Sequence, residues 1–177
     1  MNGLTIALAL MLAASPGEGV NQMKAAGFVT GFEQERGAGY IREAVPRGES
    51  VQNWSRMITT QRFRGVVVQG TDARVFAANF SGLWRGSCPG GRVSAPTPLR
   101  IANTRGAIEL RADCPRNPQT GKPETMFMRA ITGGGDLHVV QVAFRRVATP
   151  QDAAFANAHL SSVSLCNSGP RTPRCAS

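Results

Sequence analysis

Residues 107–114 alternate between apolar and polar side chains, and this alternation restricts the fold more than any other feature of the sequence. Ile108, Leu110 and Ala112 would share one face of a strand, while Glu109 and Arg111 would share the other. Successive side chains of a strand point to opposite faces, so the pattern predicts a sheet covered on one side. Neighbouring segments extend it to an antiparallel meander over residues 99–103, 107–114, 124–132 and 137–146.

The first half of the chain predicts further strands. A hairpin is expected where glycines between two strand-like segments supply the backbone freedom of a turn. A third segment of mixed polarity follows Trp54 and also has the alternation of a strand. These strands are predicted over residues 28–35, 39–45 and 55–63.

Two helices are predicted to pack on this sheet. Residues 71–85 carry apolar side chains at the spacing of an amphipathic helix, namely Phe76, Phe80, Leu83 and Trp84. A second helix is predicted to begin at Pro150 with Thr149 as its N-cap, because the missing N–H of proline costs nothing in the first turn. Its inner face would carry Phe155, Ala156, His159 and Leu160. The predicted fold is therefore α+β, a mainly antiparallel sheet with helices packed on it.

Residues 1–15 have the composition of a signal peptide. An apolar run from Leu4 to Ala14 ends in small residues and is shorter than the roughly 20 residues that span a bilayer. We expect cleavage between about residues 14 and 19, a periplasmic or secreted location in a bacterium, and no transmembrane segment in the mature chain. A buried N-terminal helix is the alternative. Residues 16–26 are interpreted as a linker and residues 27–177 as a single domain.

Four cysteines, all beyond the predicted signal peptide, predict two disulfide bonds. The favoured pairs are Cys88 with Cys114, which would tie a helix end to a strand end, and Cys166 with Cys175, which would pin the C-terminal tail. An even number of cysteines is typical of exported proteins, whose disulfides persist in an oxidising compartment. Zinc is the alternative, but neither pair has the short spacing of structural zinc ligands. We expect no metal and no cofactor.

The chain is strongly basic, with 20 Lys and Arg against 11 Asp and Glu and a formal net charge of +9. Clustered cations neutralise the phosphates of a polyanion and release its counterions. Nearly all of the positive charge is arginine, however, and it is scattered without a dense run, so a solvated basic surface is the simpler interpretation. The candidate polyanion-binding residues are Arg56, Arg62 and Arg64 on one segment and Arg145 and Arg146 on another.

The segment from Val45 to Gln61 resembles one found in a family of small secreted proteins and lipoproteins of bacteria. The resemblance continues in residues 137–144 and in the tail around Cys166 and Cys175, although this chain lacks the lipidation cysteine of the lipoprotein members. Because the members have no assigned activity, the resemblance implies a compartment and a shape. The element order is also similar to the PsbP/Mog1-like α/β/α sandwich. Trp54, within the first segment, is a candidate binding residue, with a role in the core as the alternative.

Side chains suited to catalysis are few. His138 and His159 are interpreted as structural, because spacing places no carboxylate or nucleophile beside them. An acidic cluster suits a glycosidase, although pairing with Arg36, Arg42 or Arg47 is the simpler role. That cluster comprises Glu33, Glu35, Glu43 and Glu49. The run of glycines at 133–135 is followed by no helix, so it predicts a hairpin turn rather than a phosphate-binding loop. We expect no catalytic residue.

Three functions are therefore considered. The first is an exported, non-enzymatic, envelope-associated binding protein, whose ligand is an envelope protein, a polymer or a small molecule held on the sheet or in the groove between sheet and helix. The second is a basic polyanion-binding protein, although we do not expect nucleic acid to be the partner. The third is a hydrolase of cell-envelope polymers.

Overall fold

The computed structural model describes residues 17–167 and 174–175, so the predicted signal peptide lies outside the described residues. In chain order the elements are β1 (Gly19–Asn21), β2 (Phe28–Arg36), β3 (Gly39–Pro46), β4 (Arg56–Phe63), α1 (Ala73–Ser87), β5 (Arg92–Val93), β6 (Thr97–Leu99), β7 (Gly106–Cys114), β8 (Glu124–Thr132), β9 (Leu137–Phe144), α2 (Pro150–Ser161) and β10 (Ser164–Cys166).

The described strands build one large sheet and one small one. The 8-stranded sheet has the order β2-β3-β4-β9-β8-β7-β5, with β6 also paired to β7, and β1 pairs with β10 in a 2-stranded sheet. All of these pairs are antiparallel. The predicted α+β class, with a mainly antiparallel sheet and helices packed on it, is confirmed.

One predicted strand, over residues 99–103, is wrong. Strand β6 ends at Leu99, and the chain turns between Ile101 and Thr104. Asn103 adopts a φ of 63°, and the hydroxyl of Thr104 donates to the carbonyl of Ile101. Asparagine tolerates this left-handed conformation better than most residues, which favours a turn here over a strand.

Helix α1 packs on one face of the large sheet and helix α2 on the other, which makes three layers. Each fully buried aliphatic or aromatic side chain contributes about 1.5–3 kcal/mol to folding. The α1 side buries Ala73, Ala77, Ile108, Leu110, Met128, Leu137 and Val139. The α2 side buries Ile58, Phe127, Val140, Val142, Phe144, Ala156 and Leu160.

Helix α2 begins at Pro150 as predicted, and α1 begins at Ala73, within the predicted segment 71–85, but α1 faces the sheet differently. Asp72 caps α1, and Thr149 forms a capping box at the start of α2. Small residues, Ala73 and Ala77, lie closest to the sheet, whereas Leu83, predicted on the inner face, is 71% exposed. With 3.6 residues per turn, Leu83 lies about 100° from the line through those alanines and so faces away from the sheet.

The segment interpreted as a linker, residues 16–26, contains strand β1. This strand pairs with β10, and Gly19 lies against the disulfide of Cys166 and Cys175. Glu18 is only 5% exposed. We call residues 17–25 the strap, because they cross the α2 side of the sheet and contact β4, α2 and the turn between β8 and β9.

In the described part of the chain, no helix has the length and apolar character needed to cross a membrane.

Candidate functional site

The strands β2, β3, β4 and β9 present two rows of polar side chains beneath the strap. Residues paired across antiparallel strands point to the same face, so register alone assigns each row. The first row runs Glu35, Tyr40, Arg62, His138 across the four strands. The second runs Glu33, Arg42, Thr60, Val140. Both rows lie on the α2 side, because Val140 belongs to the core that α2 covers.

The first row is internally paired. Arg62 forms an ion pair of 3.0 Å with Glu35, and Arg64 pairs with the same carboxylate. The guanidinium of Arg62 also lies over the Tyr40 ring and donates to the carbonyl of Glu18. Burial, together with its hydrogen bond to Glu33, raises the pKa of Tyr40 to about 12, so this hydroxyl is a neutral donor at physiological pH.

The second row contains an unpaired cation. The side chain of Arg42 makes no hydrogen bond and no ion pair with another described residue, although this residue is only partly exposed. Glu33, its partner across the β2–β3 ladder, accepts a 2.7 Å hydrogen bond from the hydroxyl of Tyr40 instead. Arg42 therefore presents free N–H donors on the α2 side of the sheet.

Glu18 anchors the strap to the turn between β8 and β9. Its carboxylate accepts hydrogen bonds from the N–H groups of Gly134, at 3.0 and 3.1 Å, and of Gly135, at 3.4 Å. The Nε2 of His138 lies 3.4 Å from its Oε1, an ion-pair distance without hydrogen-bond geometry. Burial alone would raise the pKa of Glu18, but the contacts with His138 and with the two N–H groups outweigh burial and lower this pKa.

The Glu18 contact changes two interpretations made from the sequence. His138 does have a carboxylate beside it, contrary to expectation, and that carboxylate lies 120 residues earlier in the chain. The glycine run is a turn, as predicted, but its N–H groups bind an anion that belongs to the protein itself. A β-carbon on Gly133 would overlap the Glu18 carboxylate, so this glycine is needed for the close approach.

A second anchor joins the strap to helix α2. The Nε2 of Gln22 donates to the hydroxyl of Thr60 at 2.8 Å, and its Oε1 lies 3.1 Å from Nε2 of His159. Burial, and then the charge of Arg42, lower the pKa of His159, so the imidazole is neutral at physiological pH. It must therefore carry its proton on Nε2 to donate to Gln22, which leaves Nδ1 as a buried acceptor without a partner among the described residues.

Two cavities open along the strap, and we call them together the strap groove. Their volumes are about 340 Å³ and about 360 Å³. Val20, Gln22 and Arg42 line both cavities, so the two adjoin at these three residues. The first cavity is further lined by Met23, Ala25, Phe28, Ala44, Ile58 and His159. The second is further lined by Glu18, Glu35, Tyr40, Thr60, Arg62 and His138.

The arginines predicted to bind a polyanion do not form one surface. Arg56 and Arg62 occupy the same face at opposite ends of β4, about 20 Å apart at roughly 3.3 Å per strand residue. Arg62 and Arg64 are held by Glu35, while Arg56 lies over the rings of Phe28 and Phe155.

The other predicted residues meet at a separate, smaller pocket of about 220 Å³. The guanidinium of Arg145 lies 4.3 Å from the centre of the Trp54 ring, and that of Arg146 forms a fork with Asp152 at 2.7 and 3.0 Å. Lys122 completes the basic rim. Trp54 is partly buried against the α1-side core, so it serves packing as well as this pocket.

The four glutamates considered for a hydrolase are not brought together. Glu33 and Glu35 face the α2 side, whereas Glu43 occupies the opposite face of β3. Glu49 accepts hydrogen bonds from the backbone N–H and the hydroxyl of Ser55. Burial raises the pKa of Glu43, which has no hydrogen-bond partner among the described residues.

Both predicted disulfides are confirmed, Cys88 with Cys114 and Cys166 with Cys175. The first joins the end of α1 to the end of β7, and the second fixes the tail beside the strap. Among the described residues, no group of three His, Cys, Asp or Glu side chains could hold a metal ion.

Fold and site define an α+β protein with an antiparallel sheet between two helices and a polar groove beneath an N-terminal strap. The sequence matches no family model and no curated protein. Among solved structures, the fold is similar to that of LpqN, a protein involved in cell envelope biogenesis of Mycobacterium tuberculosis, with 12% identity, 87% of each chain covered and a TM-score of 0.44. A likeness at this level assigns no function. The resemblances of Val45–Gln61 and of the PsbP/Mog1-like element order stay predictions.

Proposed function

We propose that this protein is an exported, non-enzymatic binding protein of the bacterial envelope, whose ligand occupies the strap groove. The observation that carries the proposal is the free guanidinium of Arg42 at the junction of two adjoining cavities. Binding sites are typically concave, of about 300–1,000 Å³, with a few polar groups converging on an otherwise apolar lining. A cation without a structural partner in such a place suits a ligand better than it suits folding.

The disulfides support a location outside the cytoplasm. Cys88, Cys114 and Cys166 are all at most 4% exposed, and the bonds join cysteines separated by 26 and by 9 residues along the chain. Structural disulfides of this kind persist outside the cytoplasm and are rare inside it.

Intact mass spectrometry of the natively produced protein, with and without reduction and thiol alkylation, tests the compartment. Export predicts a shortened chain whose four thiols react only after reduction. Because Glu18 anchors the strap, the cut should fall before this residue, which narrows the window of 14–19 taken from the sequence. A full-length chain with four free thiols would refute export.

The surroundings of both histidines support a binding role over a catalytic one. His159 is held by Gln22 and His138 lies against Glu18. In the described range, neither imidazole bonds a serine, threonine or cysteine side chain, which is the contact that activates a nucleophile in hydrolytic sites.

Binding in the groove can be tested by two-dimensional NMR with a fragment library that contains neutral, cationic and anionic members. Thr30→Trp would fill the first cavity from an exposed position of β2, and Gln34→Trp places the same ring on the opposite face of that strand. We expect fragments to shift groove resonances in the wild type and in Gln34→Trp, and not in Thr30→Trp. If no fragment of any charge shifts groove resonances in the wild type, the groove is not the binding site.

The pocket beside Trp54 favours a second candidate, contact with a polyanion. Arg145, Arg146 and Lys122 all line it, and the guanidinium of Arg145 lies over the Trp54 ring. This function predicts affinity for heparin or DNA that falls steeply as salt rises, because bound counterions are released. Loss of that affinity in Arg145→Gln with Lys122→Gln would support it, and a salt-independent complex would refute it.

A further inference from the structure

We propose that the strap groove is selective for an organic anion, a carboxylate or phosphate monoester that bears an apolar group, with Arg42 as the residue that binds the anionic end. This inference rests on the proposed function and adds the chemical class of the ligand.

The anionic end is inferred from how charges are assigned along the sheet. Each neighbouring carboxylate already has a partner: the Tyr40 hydroxyl binds Glu33, and two arginines bind Glu35. Glu18 is bound to the glycine turn. Within residues 17–167 and 174–175, the guanidinium of Arg42 is left with its full set of donors, and guanidinium binds carboxylate and phosphate through paired N–H groups in one plane.

Arg62, a residue of the adjoining cavity, has a second unsatisfied donor. The Nε of Arg62 is buried and has no hydrogen-bond partner among the described residues. Lys24, exposed at the rim of the first cavity, adds a positive charge to that of Arg42. All three groups favour an oxygen-rich anion over a cation or a neutral amine.

The apolar group is inferred from the other end of the groove. Along β3, the lining changes from Arg42 to Ala44, a distance of about 7 Å at roughly 3.3 Å per residue. Ala44 lies beside Phe28 and Ile58, which belong to the α2-side core. A ligand spanning this distance places its anion at Arg42 and its apolar group against these side chains.

The test uses 3-phenylpropionate and phenyl phosphate as organic anions, 3-phenyl-1-propanol as the neutral analogue, and acetate and inorganic phosphate as anions without the apolar group. Calorimetry or NMR titration gives the affinities. We expect saturable binding of at least one organic anion, about tenfold or more tighter than the alcohol and the simple anions. Which of the two binds distinguishes a carboxylate ligand from a phosphate ligand.

Arg42→Gln should weaken binding of the organic anion about tenfold or more, since the substitution removes a charge-assisted contact. Arg47→Gln is the matched control, because it removes the same charge from an exposed residue just beyond β3. A second readout is the titration of His159, whose surroundings are Gln22 of the strap, Phe155 of α2 and Arg42 of β3. An anion bound at Arg42 should raise the pKa of His159, as should Arg42→Gln.

Equal binding of the alcohol, unchanged affinity in Arg42→Gln, or no binding of either organic anion would each overturn this inference. The proposed function would still stand if neutral or cationic fragments bind in the groove and Thr30→Trp blocks them. The proposed function itself is refuted only if fragments of every charge fail to bind in the groove.

Discussion

Replacing Glu18 by Gln tests whether the strap is held by charge. Glutamine keeps the shape of the side chain but loses the negative charge that Gly134, Gly135 and His138 surround. A hydrogen bond to a charged group contributes about 1.5–3 kcal/mol and a neutral one about 1 kcal/mol. Gly134 is exposed, so water replaces part of its lost bond. We therefore expect Glu18→Gln to lower the free energy of unfolding by ~1–1.5 kcal/mol.

The direction in which the contribution of Glu18 to stability changes with pH follows from its lowered pKa. The pKa of Glu18 is lowered in the folded protein, so its contribution to stability is complete above the unfolded-state pKa. That contribution is lost as pH falls through the lowered folded-state pKa. Urea unfolding of wild type and Glu18→Gln should differ at neutral pH and converge in acid. Equal stability at neutral pH, or a difference that is the same at every pH, would refute a charge-based anchor.

Glycine substitutions provide a matched comparison for the same anchor. A β-carbon on Gly133 would overlap the Glu18 carboxylate, whereas one on Gly134 would make only an ordinary contact of 3.4 Å. Gly133→Ala should therefore destabilise the protein and Gly134→Ala should not. In a Glu18→Ala background most of the Gly133→Ala effect should disappear, because the overlapping group is gone. Additive effects would show that Gly133 acts through the turn alone.

Three further predictions concern other parts of the fold. Glu43→Gln should stabilise the protein at neutral pH, because burial raises the pKa of the unpaired Glu43 carboxylate, and the gain in stability should vanish in acid. A lower free energy of unfolding in urea at neutral pH would contradict this. Changing Cys88 and Cys114 together to Ser should cost about 3 kcal/mol in thermal or urea unfolding, since the bond closes a separation of 26 residues, and unchanged stability would refute its role. Asp152→Asn should cost ~1–2 kcal/mol, because the carboxylate accepts from both Thr149 and Arg146, and urea unfolding identical to the wild type would exclude this.

The strands were predictable from the sequence because their signal is local. Residues 107–114 alternate in polarity, and the observed strand begins only one residue earlier, at Gly106. The pairing of β4 with β9 was not predictable in this way, since it joins segments about 80 residues apart through contacts that no local pattern records. The position of Leu83 was missed for a related reason. Its spacing fits a helix, but the helix turns its smallest residues towards the sheet.

The strap was missed because its stabilising contacts are all long-range. Residues 17–25 have neither the alternation of a strand nor the period of a helix, so composition alone suggested a linker. Glu18 binds a turn 116 residues away, and Gln22 binds a histidine 137 residues away. A buried acidic residue in a short polar segment becomes informative only when its partner is known.

The candidate site depends on how carboxylates are distributed among arginines, and that distribution is decided by strand register. The sequence suggested that the acidic cluster would pair with Arg36, Arg42 or Arg47, its nearest cations along the chain. In the folded sheet, the Tyr40 hydroxyl binds Glu33, while Arg62 of β4 and Arg64, just after β4, pair with Glu35. A one-residue slip of β3 would turn Tyr40 and Arg42 together to the other face, so that neither the hydrogen bond to Glu33 nor a free guanidinium on the α2 side would form. The free cation is therefore a property of the register, and it could not have been identified from the residues that surround it in the sequence.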